Sequence, residues 1–188
     1  GEDVLRFEDD ALLSAPAVEQ IARGPLAVLD YLHGQSPPVV HRDIKPSNVI
    51  VRGDGSPALV DFGGVCFGWR EVGEGSTFIA THGYSPPEQY MGQVSTRSDL
   101  YAVGATLLHV LSGRRPSSFS FETGRIEVPE ALAPTPGIRR LVTTCLSTAP
   151  QDRPSSAAAA LALLDAPLDG GEMSTASQLL LTESLGDP

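Results

Sequence analysis

The order of apolar and turn-forming residues predicts a mainly α-helical fold carrying a small β-hairpin. Three stretches of the chain point there. Residues 97–111, RSDLYAVGATLLHVL, are almost wholly apolar, and a helix apolar on all sides is a buried one. From Ala17 to His33 apolar residues recur at helical spacing, at Val18, Ile21, Ala22, Val28, Leu29 and Leu32. Val49–Val51 and Ala58–Val60 are short apolar runs on either side of Arg52-Gly53-Asp54-Gly55-Ser56-Pro57, which reads as a hairpin.

Taken in chain order, residues 1–16 are acidic and irregular. Gly24-Pro25 interrupts the first helical pattern. A proline there is expected to kink or split the helix, since keeping it straight costs roughly 3 kcal/mol. After the hairpin, a loop rich in Gly, Ser and Thr runs from Gly63 to about Gly92, long enough to be functional or mobile rather than a simple connection. The 97–111 helix is the expected spine of the domain, with Leu100, Val103, Leu107 and Val110 inside and Gly113 placed to end it. Residues 114–136 hold four prolines and read as loop. Ile138–Leu146 and Ser155–Leu164 read as two further helices, with Asp152, Pro154 and the alanine run suited to the start and body of the last. Beyond Asp165 the composition turns to Gly, Ser, Thr and acid, a tail or linker expected to be flexible. No internal repeat is visible.

The 188 residues, 41% of them hydrophobic, suffice for one domain with its own core. A net charge of -10 argues against nucleic acid as a partner, because phosphate binding needs a basic face; the charge serves solubility. Cys66 and Cys145 are too few for a disulfide framework or a metal site. They read as two buried thiols in a reducing, cytoplasmic setting. No run of about 18 apolar residues is present to span a membrane. The start, Gly1-Glu2-Asp3-Val4, has neither the basic opening nor the apolar stretch of a signal peptide, and no Met, as in a cut from a longer chain.

The chemistry concentrates in His41-Arg42-Asp43-Ile44-Lys45-Pro46-Ser47-Asn48. Phosphoryl transfer to a hydroxyl needs a carboxylate near the attacking oxygen, a cation near the transferred group and oxygen ligands for Mg²⁺. Asp43, Lys45 and Asn48 supply one of each, and the run matches H-R-D-x-K-P-x-N. A charged surface loop beside a strand is the blander account, and so long a match tells against it. Asp61-Phe62-Gly63 follows the second hairpin strand. The hairpin therefore returns a second carboxylate towards Asn48, and Asp43, Asn48 and Asp61 are expected on one cleft edge.

With these motifs in place, the chain resembles the protein kinase family. Further matches follow in family order. Thr81-His82-Gly83-Tyr84-Ser85-Pro86-Pro87-Glu88 resembles the end of a kinase activation segment, with Pro86-Pro87-Glu88 for the usual A-P-E. Asp99 in Ser98-Asp99-Leu100-Tyr101 resembles the buried aspartate that steadies the catalytic loop, and Arg153 the arginine that pairs with the closing glutamate, here Glu88. Lys45 together with Thr81 is similar to the serine/threonine branch, and Ser-Pro-Pro-Glu-Gln-Tyr to its bacterial members.

The resemblance covers about residues 10–165. It implies that residues 1–165 are a kinase C-terminal lobe, an α+β kinase fold without its N-terminal lobe, and that 166–188 are the tail. It implies ATP and Mg²⁺ as cofactors, protein substrates with Ser or Thr, and a role in signalling. Asp43 would orient the substrate hydroxyl and accept its proton, Lys45 would stabilise the transferred phosphoryl group, and Asn48 and Asp61 would hold Mg²⁺. Thr81 would support Asp43 and Lys45, and Arg42 suggests control by an anion on the activation loop, with Ser76 and Thr77 as candidate phosphosites or plain loop residues. Glu88 and Arg153 are expected as a buried ion pair. His33, His109 and His41 read as structural, the last as a hydrogen-bonding core residue; Trp69 is a lone loop aromatic, and Cys66 an ordinary thiol rather than a redox centre.

The sequence departs from the family in two places. It contains no G-x-G-x-x-G loop, no V-A-I-K-like lysine and no helix with its glutamate partner, so the N-terminal lobe is read as truncated rather than mutated, and is the partner this chain requires. After Gly113 a short Pro- and Ser-rich stretch stands where the family has a helix often used for docking substrate. A non-catalytic scaffold module is the alternative to an active kinase. A small-molecule kinase of the aminoglycoside or choline type is disfavoured by Lys45, the D-F-G and the Pro-Pro-Glu segment.

Overall fold

The computed structural model describes residues 3–4, 14–53, 55–67, 80–119, 121–122, 125–126 and 128–166. The expected tail beyond Asp165 lies outside them except for Ala166.

The chain opens with β1 (Asp3–Val4) and α1 (Ala15–His33). Residues 3–4 and 15–16 therefore carry structure that the acidic, irregular composition of 1–16 does not predict. Asp3 and Val4 pair antiparallel with Val51 and Ile50, and the Ser14 side chain accepts from the Ala17 N–H to start the helix two residues earlier than the apolar spacing does. Nor is α1 split at Gly24-Pro25: it runs unbroken with Pro25 buried inside it. Tertiary packing overrides the local rule. A Cβ at Gly24 would lie 2.1 Å from Cγ of Pro57, so the bare glycine lets the helix seat against the hairpin, and that contact offsets the hydrogen bond Pro25 cannot donate.

Next come β2 (Val39–Val40), a 3₁₀ turn at Pro46–Asn48, β3 (Val49–Val51) and β4 (Pro57–Leu59). β3 and β4 form the hairpin in the register Val49↔Leu59, Ile50↔Ala58 and Val51↔Pro57, and β1 extends it to three strands. The long loop predicted from Gly63 carries structure of its own. β5 (Cys66–Phe67) pairs with β2, and α2 (Pro87–Tyr90) closes the segment. Strands of two residues leave no alternation in sequence to be read.

α3 (Thr96–Ser112) starts in a reciprocal cap between Ser95 and Ser98 and stops at Gly113, whose φ of 64° suits a residue without a Cβ. It is the centre of the core: Leu100, Val103 and Leu107 are 0–2% exposed, while Val110, expected with them, is only partly buried. The predicted loop after Gly113 holds a further pair, β6 (Phe121–Glu122) and β7 (Arg125–Ile126). α4 (Pro136–Cys145) and α5 (Ala157–Asp165) complete the fold. Asp152 does not start α5; it ends a separate 3₁₀ turn, and Ser156 caps the helix by accepting from the Ala159 N–H. α3 packs between α1 and α4, and α5 against both of those. The α3–α4 approach is close because Gly104 is bare: a Cβ there would sit 2.8 Å from Cβ of Cys145. Cys145 is fully buried and its thiol is pushed up to about 12 by burial. Cys66, expected buried as well, is only half-buried.

The fold is thus mainly helical with small antiparallel sheets, as predicted. Among the described residues no helix is long and apolar enough to cross a membrane.

Candidate active site

Between β2 and β3 the chain forms an irregular loop, His41–Lys45, that turns on two sets of bonds. The first set comes from Asp99, fully buried near the start of α3. Its Oδ2 accepts from the His41 N–H at 2.8 Å and its Oδ1 from the Arg42 N–H at 2.8 Å. His33 at the end of α1 contacts the same carboxylate, Nε2 to Oδ2 at 2.9 Å. Gln89 of α2 donates to the Arg42 carbonyl at 2.8 Å. Held from both sides, Arg42 adopts a φ of 72°, a left-handed conformation rare outside glycine.

The second set converges on Asp43. Thr81 Oγ1 donates to Oδ1 at 2.7 Å, and Lys45 Nζ donates to Oδ2 at 2.7 Å. The Asn48 amide donates to the Asp43 carbonyl at 2.7 Å and to Oδ2 at 3.1 Å. Partial burial would by itself raise the carboxyl's pKa, but the bonds from Lys45, Thr81 and Asn48 outweigh it and hold Asp43 below the usual carboxylate range. Asp43 is thus an ionised group aimed by three side chains. His41 packs beneath the loop, fully buried, its Nδ1 3.4 Å from the Asp43 N–H and its ring 5.0 Å from that of Phe62. Burial pushes its pKa down, which fits a neutral core residue.

Asp61 arrives by the return of the hairpin: the Val60 N–H donates to the Asn48 carbonyl at 2.9 Å. Asp61 is exposed, with a φ of 62°, and its Oδ1 accepts from the Gly63 N–H at 3.2 Å. Among the described residues its carboxylate makes no bond to Asn48 or Asp43, so the structure joins Asp43, Lys45, Asn48 and Thr81 directly and brings Asp61 near them only through the backbone. The donor set suits Mg²⁺. The Asn48 amide nitrogen is committed to Asp43, leaving Oδ1 with only a 3.4 Å contact from Ser47 Oγ, and Asp61 offers a second hard oxygen. Among the described residues no group of three or more His, Cys, Asp or Glu could hold a metal. A site with two protein ligands is the kind Mg²⁺ uses when phosphates and water complete its shell.

Glu88 and Arg153 form a two-pronged pair, Nη1 to Oε1 at 2.6 Å and Nη2 to Oε2 at 3.0 Å, with both residues buried. Ser98 Oγ adds a bond to Oε1 at 2.9 Å. This anchors α2, and with it the segment from Thr81, to the body of the fold. Ser76, Thr77 and Trp69 lie outside the described residues.

Sequence reasoning missed the roles of His33, Gln89, Ser85 and Ser98. Ser85 Oγ accepts from the Thr81 N–H at 2.9 Å, which fixes the residue that reaches Asp43. Ser85 and Gln89 stand beside recognised motif residues, whereas the partner of His33 lies 66 positions away, and no spacing rule could have found it.

The loop thus orients one ionised aspartate between a lysine and a threonine and is braced by a buried aspartate on the central helix. The family model described as the protein kinase domain matches residues 2–164. The chain belongs to the protein kinase family. Its relatives include bacterial and plant serine/threonine-protein kinases. It is 34% identical over 158 residues to the serine/threonine-protein kinase PknA of Nostoc sp., covering 79% of this chain and 28% of that protein. It is 35% identical over 178 residues to serine/threonine-protein kinase F of Synechocystis sp., covering 88% and 34%. The receptor-like serine/threonine-protein kinase ALE2 of Arabidopsis thaliana is 43% identical over 112 residues, covering 56% and 14%. The chain spans about a third or less of the length of these relatives.

Proposed function

We propose that the protein containing this chain transfers the γ-phosphate of ATP to serine and threonine hydroxyls of other proteins, with residues 1–165 as the C-terminal lobe of its kinase domain. The observation that carries this reading is the arrangement at Asp43: one carboxylate, held ionised, with Thr81 on one oxygen and Lys45 and Asn48 on the other.

Each contact has a use in the reaction. An ionised carboxylate accepts the bond from a substrate hydroxyl and turns the oxygen lone pair towards the phosphorus; it takes the proton as the new O–P bond forms and the bond from the γ-phosphorus to the departing ADP oxygen breaks. Its lowered pKa makes Asp43 a weak base, so its main contribution is orientation, worth most when the bound geometry is fixed. Lys45 places a positive charge where the transferred phosphoryl group gathers negative charge. Thr81 ties the activation segment to the same carboxylate, so that a substrate lying along the segment meets a correctly placed Asp43. Asn48 and Asp61 would hold Mg²⁺, which supplies charge neutralisation on the phosphate oxygens.

The sequence has no phosphate-covering glycine loop and no phosphate-gripping lysine. Those parts belong to an N-terminal lobe, and without it this chain is expected to bind ATP weakly and transfer little. The test is phosphate transfer from Mg-ATP to a generic protein acceptor by this chain, by the chain extended upstream, and by the extended chain carrying Asp43→Asn. Transfer is expected from the extended protein alone. Robust transfer by the short chain would overturn the requirement for a second lobe, and full activity of the Asp43→Asn variant would overturn the catalytic assignment.

A further inference from the structure

The segment that follows α3 stands where the family has a docking helix, yet it touches the activation segment directly. Gly83 has a φ of 87°, and a Cβ on it would lie 3.1 Å from the Ser117 backbone nitrogen. Gly113–Ser118 is therefore packed against the turn Thr81–Ser85, in which the Thr81 carbonyl accepts from the N–H groups of Tyr84 and Ser85, both at 3.0 Å. The same turn begins at Thr81, bonded to Asp43, and reaches Tyr84, whose hydroxyl is hydrogen-bonded to Nδ1 of His109 on α3. One short stretch of chain thus links the phosphoacceptor site to the end of α3.

Arg114 and Arg115 sit at that junction. In a chain of net charge -10, Arg23, Lys45 and Arg153 have carboxylates beside them, while Arg97 donates to the Pro150 carbonyl. Arg114 and Arg115 are both exposed, and among the described residues neither has a carboxylate within ion-pair distance. Their placement is nevertheless defined. Arg114 lies 4.9 Å over the Phe119 ring and donates to the Ser118 carbonyl at 3.2 Å. The Arg115 carbonyl accepts from the Ser118 N–H at 2.9 Å and from its hydroxyl at 2.8 Å, leaving the side chain to solvent. Burial first, and then the Arg115 charge, lower the His109 pKa, so the arginines rather than the imidazole are the standing charges at this rim.

We propose that Arg114 and Arg115 form a subsite for an acidic side chain, aspartate, glutamate or a phosphorylated residue, a few positions from the phosphoacceptor, making this an acid-directed serine/threonine kinase. The proposal rests on the kinase reading above and names its substrate class. An exposed cationic pair beside the turn that carries Thr81 attracts carboxylates and disfavours lysine and arginine at the same place, so its contribution is to selection among substrates rather than to the chemical step.

The experiment uses the full parent protein with Mg-ATP and three peptide sets sharing a central serine, flanked by acidic, neutral or basic residues, together with an unselective protein acceptor. Wild type should show a KM for acidic peptides lower than for neutral ones by roughly fivefold, the upper end for a solvent-exposed ion pair, with kcat little changed. Arg115→Ala should flatten the ranking and Arg115→Glu should invert it in favour of basic peptides, a charge reversal that misfolding cannot mimic. Equal KM values for the three sets in wild type, or an unchanged ranking in Arg115→Glu, would overturn the subsite while transfer to the protein acceptor left the kinase reading standing. No transfer to any acceptor would sink the kinase reading and this proposal with it.

Discussion

Replacing Arg153 by alanine should be among the most damaging changes available in this chain. Arg153 is 3% exposed. Its guanidinium makes two bonds to Glu88, at 2.6 and 3.0 Å, and three to main-chain carbonyls, Ser147 at 2.7 Å, Thr148 at 2.9 Å and Arg97 at 3.0 Å. It also lies 4.9 Å over the Tyr101 ring. Truncation strands the Glu88 carboxylate in a place where it is 8% exposed and leaves three carbonyls short of donors. Breaking a buried pair from one side costs about 3–5 kcal/mol, which in a domain of this size lowers the melting temperature by roughly 10 °C. The check is thermal unfolding of wild type, Arg153→Ala, Glu88→Gln and the double variant Glu88→Leu with Arg153→Met. The double variant should lose less than the two single losses combined, because no charge is left unpaired. An unchanged melting temperature for Arg153→Ala would refute the reasoning, as would a double variant at the plain sum of the singles.

Two further outcomes follow from the geometry. Gly104→Ala should destabilise by about 1–3 kcal/mol in spite of alanine's better helix propensity, because the new methyl would meet the Cβ of Cys145 at 2.8 Å; chemical denaturation would show it. Asp43 has a lowered pKa in the folded state, with burial opposing and Lys45, Thr81 and Asn48 prevailing; the unfolded chain therefore binds its proton more readily. Its contribution to stability is present above the ordinary carboxylate pKa and is lost as pH falls below about 4, so urea midpoints measured from pH 6 to pH 3 should fall less steeply in Asp43→Asn than in wild type.

What could be read from the sequence divides by the range of the interaction. Asp43, Lys45 and Asn48 lie within one short loop, so their mutual bonds are nearly local, and their residue types alone pointed to phosphoryl transfer. α3 was legible because burial on all sides leaves an unmistakable apolar run. The continuity of α1 through Pro25 was not, since it depends on Gly24 meeting Pro57 on the hairpin, a contact no local rule encodes. β1 and β5 are two residues each and show only once their partners are in place. The brace from Asp99 to His41 spans 58 positions; resemblance pointed to Asp99, but the addition of His33 and Gln89 to the same frame needed the fold.

The left-handed backbone at Arg42 and Asp61 has a consequence for how this chain can change. Glycine adopts φ values of 72° and 62° without steric cost, whereas other residues held there give up on the order of 1 kcal/mol. Any selection for folding alone, in a laboratory screen or in a lineage that has ceased to need phosphate transfer, would find glycine or asparagine at positions 42 and 61 favourable.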